Sequence, residues 1–264
     1  MKTRYGKDDV SVYRTDGVRT LRGTTVRVDV FGESFEASYT EGDNSKVVAT
    51  DTMKNVIHSA ALDYAGESLE GLAQHLGVTF LGLYGDMETL NLRVAELPFI
   101  RHSDVLFQRI DRDYGVAEIS IDRTGVSEHR SGREGLHLVK ITGSAFASFA
   151  RDEHTTLPEF HDRPLFVYLD VYWRHVDFAK HIPSEDVRDS LLATFDAFVS
   201  LSIQQLVHEM GQRVFAEFDE IIEISFEAQN RLWDTAQVSA DDDRVKVYTD
   251  PRPPIGRIGL TLNR

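Results

Sequence analysis

Leu165-Phe166-Val167-Tyr168-Leu169-Asp170-Val171-Tyr172-Trp173 is the stretch on which the fold turns. Leu165, Val167, Leu169, Val171 and Trp173 alternate over its length, which is the period of a strand with one buried face. Downstream the period changes. Pro183-Ser184 opens a predicted helix carrying Val187, Leu191, Phe195 and Phe198, and a second carries Ile203, Leu206, Val207, Met210 and Val214. Strands return at Ile222, Ile224 and Phe226, at Val245 and Val247, and at Ile258, Leu260 and Leu262. Residues 241–243 and 251–254 read as loops.

Upstream the same order appears. Val10 and Val12, then Val26, Val28 and Val30, alternate as strands, and residues 35–39 extend that pattern. Met53, Val56, Ile57, Ala60 and Ala61 fall at helical spacing, with Thr50 or Asp51 as the predicted N-cap. A second helix starts at Ser68 with Leu69, Leu72, Ala73 and Leu76 on one face. Strands follow at Leu90, Leu92 and Val94, at Ala117, Ile119 and Ile121, and from Leu136 to Ile141. Two successive strand–strand–helix–helix–strand–strand series predict an α+β fold of two halves, residues 1–141 and 142–264. The repeat lies in the pattern and not in the residues themselves.

The 264 residues suffice for a sizeable core and include no cysteine, so no disulfide framework or thiolate metal site is available. A formal net charge of −14 argues against a nucleic-acid partner. No apolar run has the length of a membrane span, and the first residues lack a signal peptide's apolar segment. A cysteine-free chain of this kind fits the cytoplasm. His154 and His161, and His175 and His181, lack the spacing of a helical zinc site, so they read as solvated or capping residues and no metal is expected. There is no phosphate loop at residues 82–85, and there is no nucleophile elbow.

One stretch carries candidate chemistry. Thr142-Gly143-Ser144-Ala145-Phe146 leads to Arg151-Asp152-Glu153-His154-Thr155-Thr156-Leu157 and to Asp162-Arg163. A ring that stacks and a guanidinium that forks can together hold a flat anion. Singly, each residue has a plainer reading. Phe146 suits a core, Arg163 suits an ion pair with Asp162, Gln204 suits a solvated helix start, and Lys7 suits a surface charge. At Thr50 and Asp51 the junction of apolar run and helix also offers free N–H groups to an anion.

These residues stand in strings that resemble the urate oxidase family over almost the whole chain. The strings are Tyr5-Gly6-Lys7-Asp8, residues 42–55 with Ala49-Thr50-Asp51-Thr52-Met53-Lys54-Asn55, residues 142–157, Asp162-Arg163, and Ser202-Ile203-Gln204-Gln205 through Met210-Gly211. The resemblance implies a tandem tunnelling fold (T-fold), with antiparallel sheets assembling into a barrel. It also implies a homotetramer with active sites at subunit interfaces. The implied reaction turns urate, dioxygen and water into 5-hydroxyisourate and hydrogen peroxide, without cofactor or metal. By the family's pattern, Arg163 and Gln204 grip urate, Phe146 stacks on it, and the backbone at Asp51 and Ile203 meets its edges. Lys7 and Thr50 of the neighbouring subunit would belong to a proton relay.

The resemblance breaks at one string. The family's Ser-Leu-Pro-Asn-Lys-His, whose Asn holds oxygen or water and whose His completes the relay, is Ser225-Phe226-Glu227-Ala228-Gln229-Asn230-Arg231-Leu232-Trp233 here. With Asn230 in the Asn role, Leu232 stands where the His belongs. Aligned without a gap from Ser225, Ala228 replaces the Asn and Asn230 the His. Three readings follow: a urate oxidase with a rebuilt relay, an oxygenase acting on another azaheterocycle, or a non-catalytic purine-binding barrel.

Overall fold

The computed structural model describes residues 3–17 and 20–264. The chain divides into two compact units, Met1–Gly132 with Asp177–Ser184, and Arg133–Val176 with Glu185–Arg264. In the first, β1 (Tyr5–Thr15) and β2 (Leu21–Phe31) precede a one-turn helix α1 (Glu36–Thr40) and the longer α2 (Thr50–Asp63) and α3 (Leu69–Leu83). Then come β3 (Thr89–Glu96), the short β4 (Phe99–Arg101) and β5 (Phe107–Arg109), β6 (Tyr114–Asp122) and β7 (Gly125–Lys140). The last of these runs on into the second unit, which continues with β8 (Leu165–His175), α4 (Ser184–Ala197), α5 (Ile203–Glu217), β9 (Ile221–Asn230), β10 (Asp234–Val238), β11 (Lys246–Thr249) and β12 (Gly256–Asn263).

Strand order in the first unit is β1-β2-β3-β6-β7. Register aligns the apolar positions in rows: Val26, Val28 and Val30 lie opposite Val94, Leu92 and Leu90, and Leu92 and Leu90 lie opposite Ile119 and Ile121. That face is covered by α2 and α3, which supply Met53, Ile57, Leu76 and Phe80 to one buried cluster. Ser68 caps α3 by accepting from the Gly71 N–H at 3.1 Å, so the sequence's helix start is the real one. Strand β1 approaches β2 so closely that a Cβ on Gly6 would stand 1.9 Å from the Val28 carbonyl oxygen. Only glycine fits there, one residue before Lys7.

Strand order in the second unit is β7-β8-β9-β12. Val171 lies opposite Phe226 and Leu169 opposite Ala228, while Phe226 also lies opposite Leu260. Helix α5 packs on β9 and β12 through its buried stripe of Leu206, Val207, Met210 and Val214. The pairings β1–β2, β2–β3 and β3–β6 in the first unit, and β8–β9 and β9–β12 in the second, are antiparallel. The fold is mixed α and β with antiparallel sheets.

Some expectations give way. Residues 35–39 form a 3-10 turn and α1, not a strand, because Phe35 is buried as an anchor and the following polar residues wind over it. The N-cap of α2 is Ala49, which gives no side-chain cap, so Thr50 and Asp51 stand inside the first turn. His175 is 1 % exposed at the end of β8, so it is a core residue where a solvated or capping one was expected. Of the strand predicted at Val245 and Val247, only Val247 lies in β11, which begins at Lys246 and forms a separate two-stranded sheet with β10. No helix of the described residues is long and apolar enough to cross a membrane.

Candidate active site

The segment from Thr142 to Arg163 has little regular structure, and its shape is set by a few bonds. Gly143 takes a φ of +75°, which turns the chain after β7. The Asp162 carboxylate accepts from the Thr142 hydroxyl at 2.5 Å and from the Gly143 N–H at 2.7 Å. The Thr142 bond is the leading reason its pKa lies below the ordinary 3.8. Arg163 donates its backbone N–H to Ser144 O at 2.9 Å. Phe146 and Phe160 face each other through two backbone bonds of 2.7 and 2.9 Å.

Asp162 is therefore spent on the turn, and the ion pair with its neighbour Arg163 does not form. The Arg163 guanidinium instead lies 5.6 Å from the Phe146 ring centre and 5.2 Å from that of Phe160. Its Nε and one terminal nitrogen are buried with no hydrogen-bond partner. Burial pulls its pKa below the ordinary guanidinium range, the direction for a cation removed from water without a counter-ion. A buried, unpaired fork beside an aromatic ring can take a flat acceptor bidentately.

Gln204 is brought to the same segment by a short parallel bridge. Ala145 N–H donates to Ser200 O at 2.8 Å, and Ser200 N–H donates to Gly143 O at 3.2 Å. Three residues later α5 begins. Ser202 caps it by accepting from Gln205 N–H at 3.1 Å, and Gln205 returns its side-chain oxygen to Leu201 N–H at 2.8 Å. The cap thus uses Gln205 and leaves Gln204 exposed on the first turn. Ile203 turns its side chain into the core at 5 % exposure, so only its backbone is available to a ligand.

Asn230 ends β9, between Val167 of β8 and Gly256 of β12. Its Oδ1 is buried and unpartnered. Arg163 leads into β8, so Asn230 sits against the strand that Arg163 introduces. Past Asn230 the chain leaves the sheet. Arg231 donates its N–H to Phe166 O at 2.8 Å, and its guanidinium lies 4.6 Å from the Tyr168 ring centre. Leu232 is half-buried, and Trp233 stands edge-on to Phe166 at 5.7 Å. Ala228 is 2 % exposed in the core.

Lys7, Thr50 and Asp51 belong to the first unit, and Phe146, Arg163, Ile203, Gln204 and Asn230 to the second. Lys7 lies half-buried on β1 opposite Val28, immediately before an irregularity where Asp9 takes a φ of +56°. Asp51 is held below the ordinary carboxylate pKa chiefly by a 2.6 Å bond from Lys54, with Lys7's charge as a weaker cause. Lys7 is thus within electrostatic reach of the first turn of α2. The Tyr5 hydroxyl accepts from Val48 N–H at 3.2 Å, tying β1 to the residues just ahead of Thr50.

A family model described as Uricase matches residues 3–113 and 129–259. The chain belongs to the uricase family. It is 36 % identical to a uricase of Haloferax volcanii over 98 % of this chain and 97 % of that protein. It is 35 % identical to a "Uric acid degradation bifunctional protein" of Bacillus sp. TB-90 over 96 % of this chain, but spans only 58 % of that longer protein's length. The crystal structure of urate oxidase from Bacillus sp. TB-90 superposes with a TM-score of 0.94 at 35 % identity, covering 99 % of this chain and 100 % of that one. A uricase from Arthrobacter globiformis superposes at 0.87 and 29 % identity, covering 100 % of this chain and 94 % of that one.

Within this uricase chain, sequence reasoning missed three residues that shape the site. Phe149 stacks on Phe146, Phe160 lies under Arg163, and Arg231 covers Tyr168. Phe149 and Phe160 sit in an irregular polar segment where neither the strand nor the helix period marks them. The one signal was compositional: three phenylalanines in a segment that contributes almost nothing to either core.

Proposed function

We propose that this protein oxidises urate with dioxygen and water to 5-hydroxyisourate and hydrogen peroxide. The observation that carries the reading is Arg163, whose guanidinium has two buried nitrogens without hydrogen-bond partners among the described residues and lies against Phe146. Membership of the uricase family and the likeness to urate oxidase structures support it. Urate is an anion with adjacent carbonyl and ring-nitrogen acceptors, which matches a guanidinium fork. Gln204, on the first turn of α5, offers a donor and an acceptor to the opposite edge. Phe146 stacks on the purine plane, and the backbone amides at Ile203 and Asp51 meet the ring edges.

In the reaction, urate loses two electrons and dioxygen gains them. The peroxide takes up two protons, and the hydroxyl of a water bonds to the purine carbon. The protein orients the ring, excludes bulk water and moves protons. Asn230 presents its unpartnered carbonyl oxygen to the oxygen or water site. Lys7 and Thr50 of a neighbouring subunit form the relay, in a homotetramer of tandem T-folds that closes into a barrel. No metal or cofactor takes part. We assign the protein to the cytoplasm, which suits a chain without cysteine.

With Asn230 in the Asn role, Leu232 stands where the relay histidine belongs, which favours a second reading: a urate-oxidase-like oxygenase acting on another azaheterocycle, or a non-catalytic purine-binding barrel. One experiment separates the readings. Purified protein and urate in air should bleach urate's near-ultraviolet band, with one peroxide released per urate lost. Tight urate binding with no bleaching would move the assignment to a binding protein, and no binding would move it to another ring.

A further inference from the structure

We propose that Phe149 and Phe160 are positioning residues of the urate site: Phe149 backs the Phe146 ring and Phe160 backs the Arg163 guanidinium. The proposal rests on the urate-oxidase reading above. Five side chains form a continuous column in the second unit. The Arg151 guanidinium lies 5.4 Å from the Phe149 ring centre. Phe149 and Phe146 are stacked, with ring centres 5.0 Å apart and planes 14° from parallel. Arg163 then stands at 5.6 Å from Phe146 and 5.2 Å from Phe160.

The column answers a structural need. Phe146 lies in no strand; a single bridge to Phe160 fixes its backbone, and that leaves ring rotation open. Phe149 removes the freedom by occupying one ring face, in the offset-parallel geometry aromatic pairs favour. Its approach depends on Ser148, which takes a φ of +58° and donates its N–H to Glu159 Oε1 at 3.0 Å. The chain thereby doubles back and lays ring 149 on ring 146. Arg163 has the complementary problem, because no carboxylate among the described residues orients it. The Phe160 face, in register with Phe146 through both backbone bonds, does so instead.

A purine entering this arrangement meets a Phe146 ring already seated on Phe149 and a guanidinium already seated on Phe160. Pre-orientation of both groups spares the ordering that binding would otherwise require. The effect belongs to substrate capture, so it should appear in KM more than in kcat. In the full-length chain, Phe149→Ala and Phe160→Ala should each raise KM for urate about tenfold, the order expected for one aromatic or cation–π contact. The same variants should hold kcat within about threefold. Phe149→Tyr and Phe160→Tyr should return KM to within about threefold of the parent. Phe149→Leu, which keeps bulk and folding but has no ring to stack, should behave like alanine. KM within twofold of the parent in both alanine variants would overturn the proposal, as would full rescue by leucine. A parent that binds no urate would overturn the functional reading itself, which these variants leave untouched when the parent is active.

Discussion

Replacing Arg163 by glutamine tests the site most directly, because its effects on binding and on stability should have opposite signs. In the parent, Nε and one terminal nitrogen of Arg163 are buried without partners. If urate accepts from two N–H groups of the guanidinium, two charge-assisted bonds of about 1.5–3 kcal/mol each are lost in the variant. That is about 3–6 kcal/mol together, or about 10²–10⁴ in Kd. Arg163→Lys keeps the charge and loses the fork, so it should lose about half as much in free energy. Stability should not fall with binding. Two buried, unpaired donors each cost about 1–3 kcal/mol, while the two ring contacts of the guanidinium return about 0.5–1 kcal/mol each. Removing all of them ranges from neutral to stabilising by about 5 kcal/mol, an expected Tm change of zero to roughly ten degrees upward. Urate affinity is measured by calorimetry under nitrogen, so that no turnover interferes, and Tm by circular dichroism. A Kd within threefold of the parent would refute the pincer. A Tm lowered by more than about 5 °C, roughly 2 kcal/mol, would show that Arg163 holds the fold together instead.

Leu232→His should restore a relay group, raising kcat about tenfold or more and adding a limb near pH 6–7 to the rate profile; an unchanged rate and profile would show that proton transfer runs elsewhere. Gly6→Ala puts a methyl 1.9 Å from a backbone oxygen, so β1 must shift beside Lys7. The expected loss is on the order of 2–3 kcal/mol in a denaturant titration, with activity falling further than stability. Thr142→Val removes the leading cause of Asp162's lowered pKa. A depressed carboxylate contributes stability that is present above its ordinary 3.8 and is lost as pH falls through its lower folded value. The variant should therefore be less stable than the parent at neutral pH, and the gap should close as acid unfolding curves are taken below that pH.

Much of the fold was legible because burial and period coincide. Val26, Val28 and Val30 alternate in sequence and are each fully buried, and Ser68 caps the helix that its position announced. The failures have local causes. Residues 35–39 alternate too, but Phe35 is held by a turn that ends in a helix only one turn long. At Ala49 the polar residues that looked like caps are already helical, and no side chain does the capping. At the candidate site, family strings marked Phe146, Arg163 and Gln204, while Phe149 and Phe160 carried no pattern. Their placement depends on a positive φ at Ser148 and on one bridge, neither of which has a periodic signature.

The acidity of the chain gives the geometry around Arg163 its sense. With a net charge of −14, the average field repels an anion, and every guanidinium near a carboxylate tends to be consumed by it. Arg27, Arg93, Arg130 and Arg174 are all consumed in this way, by Asp29, Glu118 and Glu223. Arg163 has an aspartate as its immediate neighbour in sequence and escapes it. The escape has a mechanism: Thr142 and Gly143 fill both oxygens of Asp162 and point them at the turn. Phenylalanines then flank the guanidinium, and rings can orient a cation without neutralising it. An acidic protein can keep one strong anion-binding fork only if the fork is insulated from its own carboxylates. Here the residues that insulate it also shape the turn that carries it, so binding and local structure cannot be altered separately at Asp162.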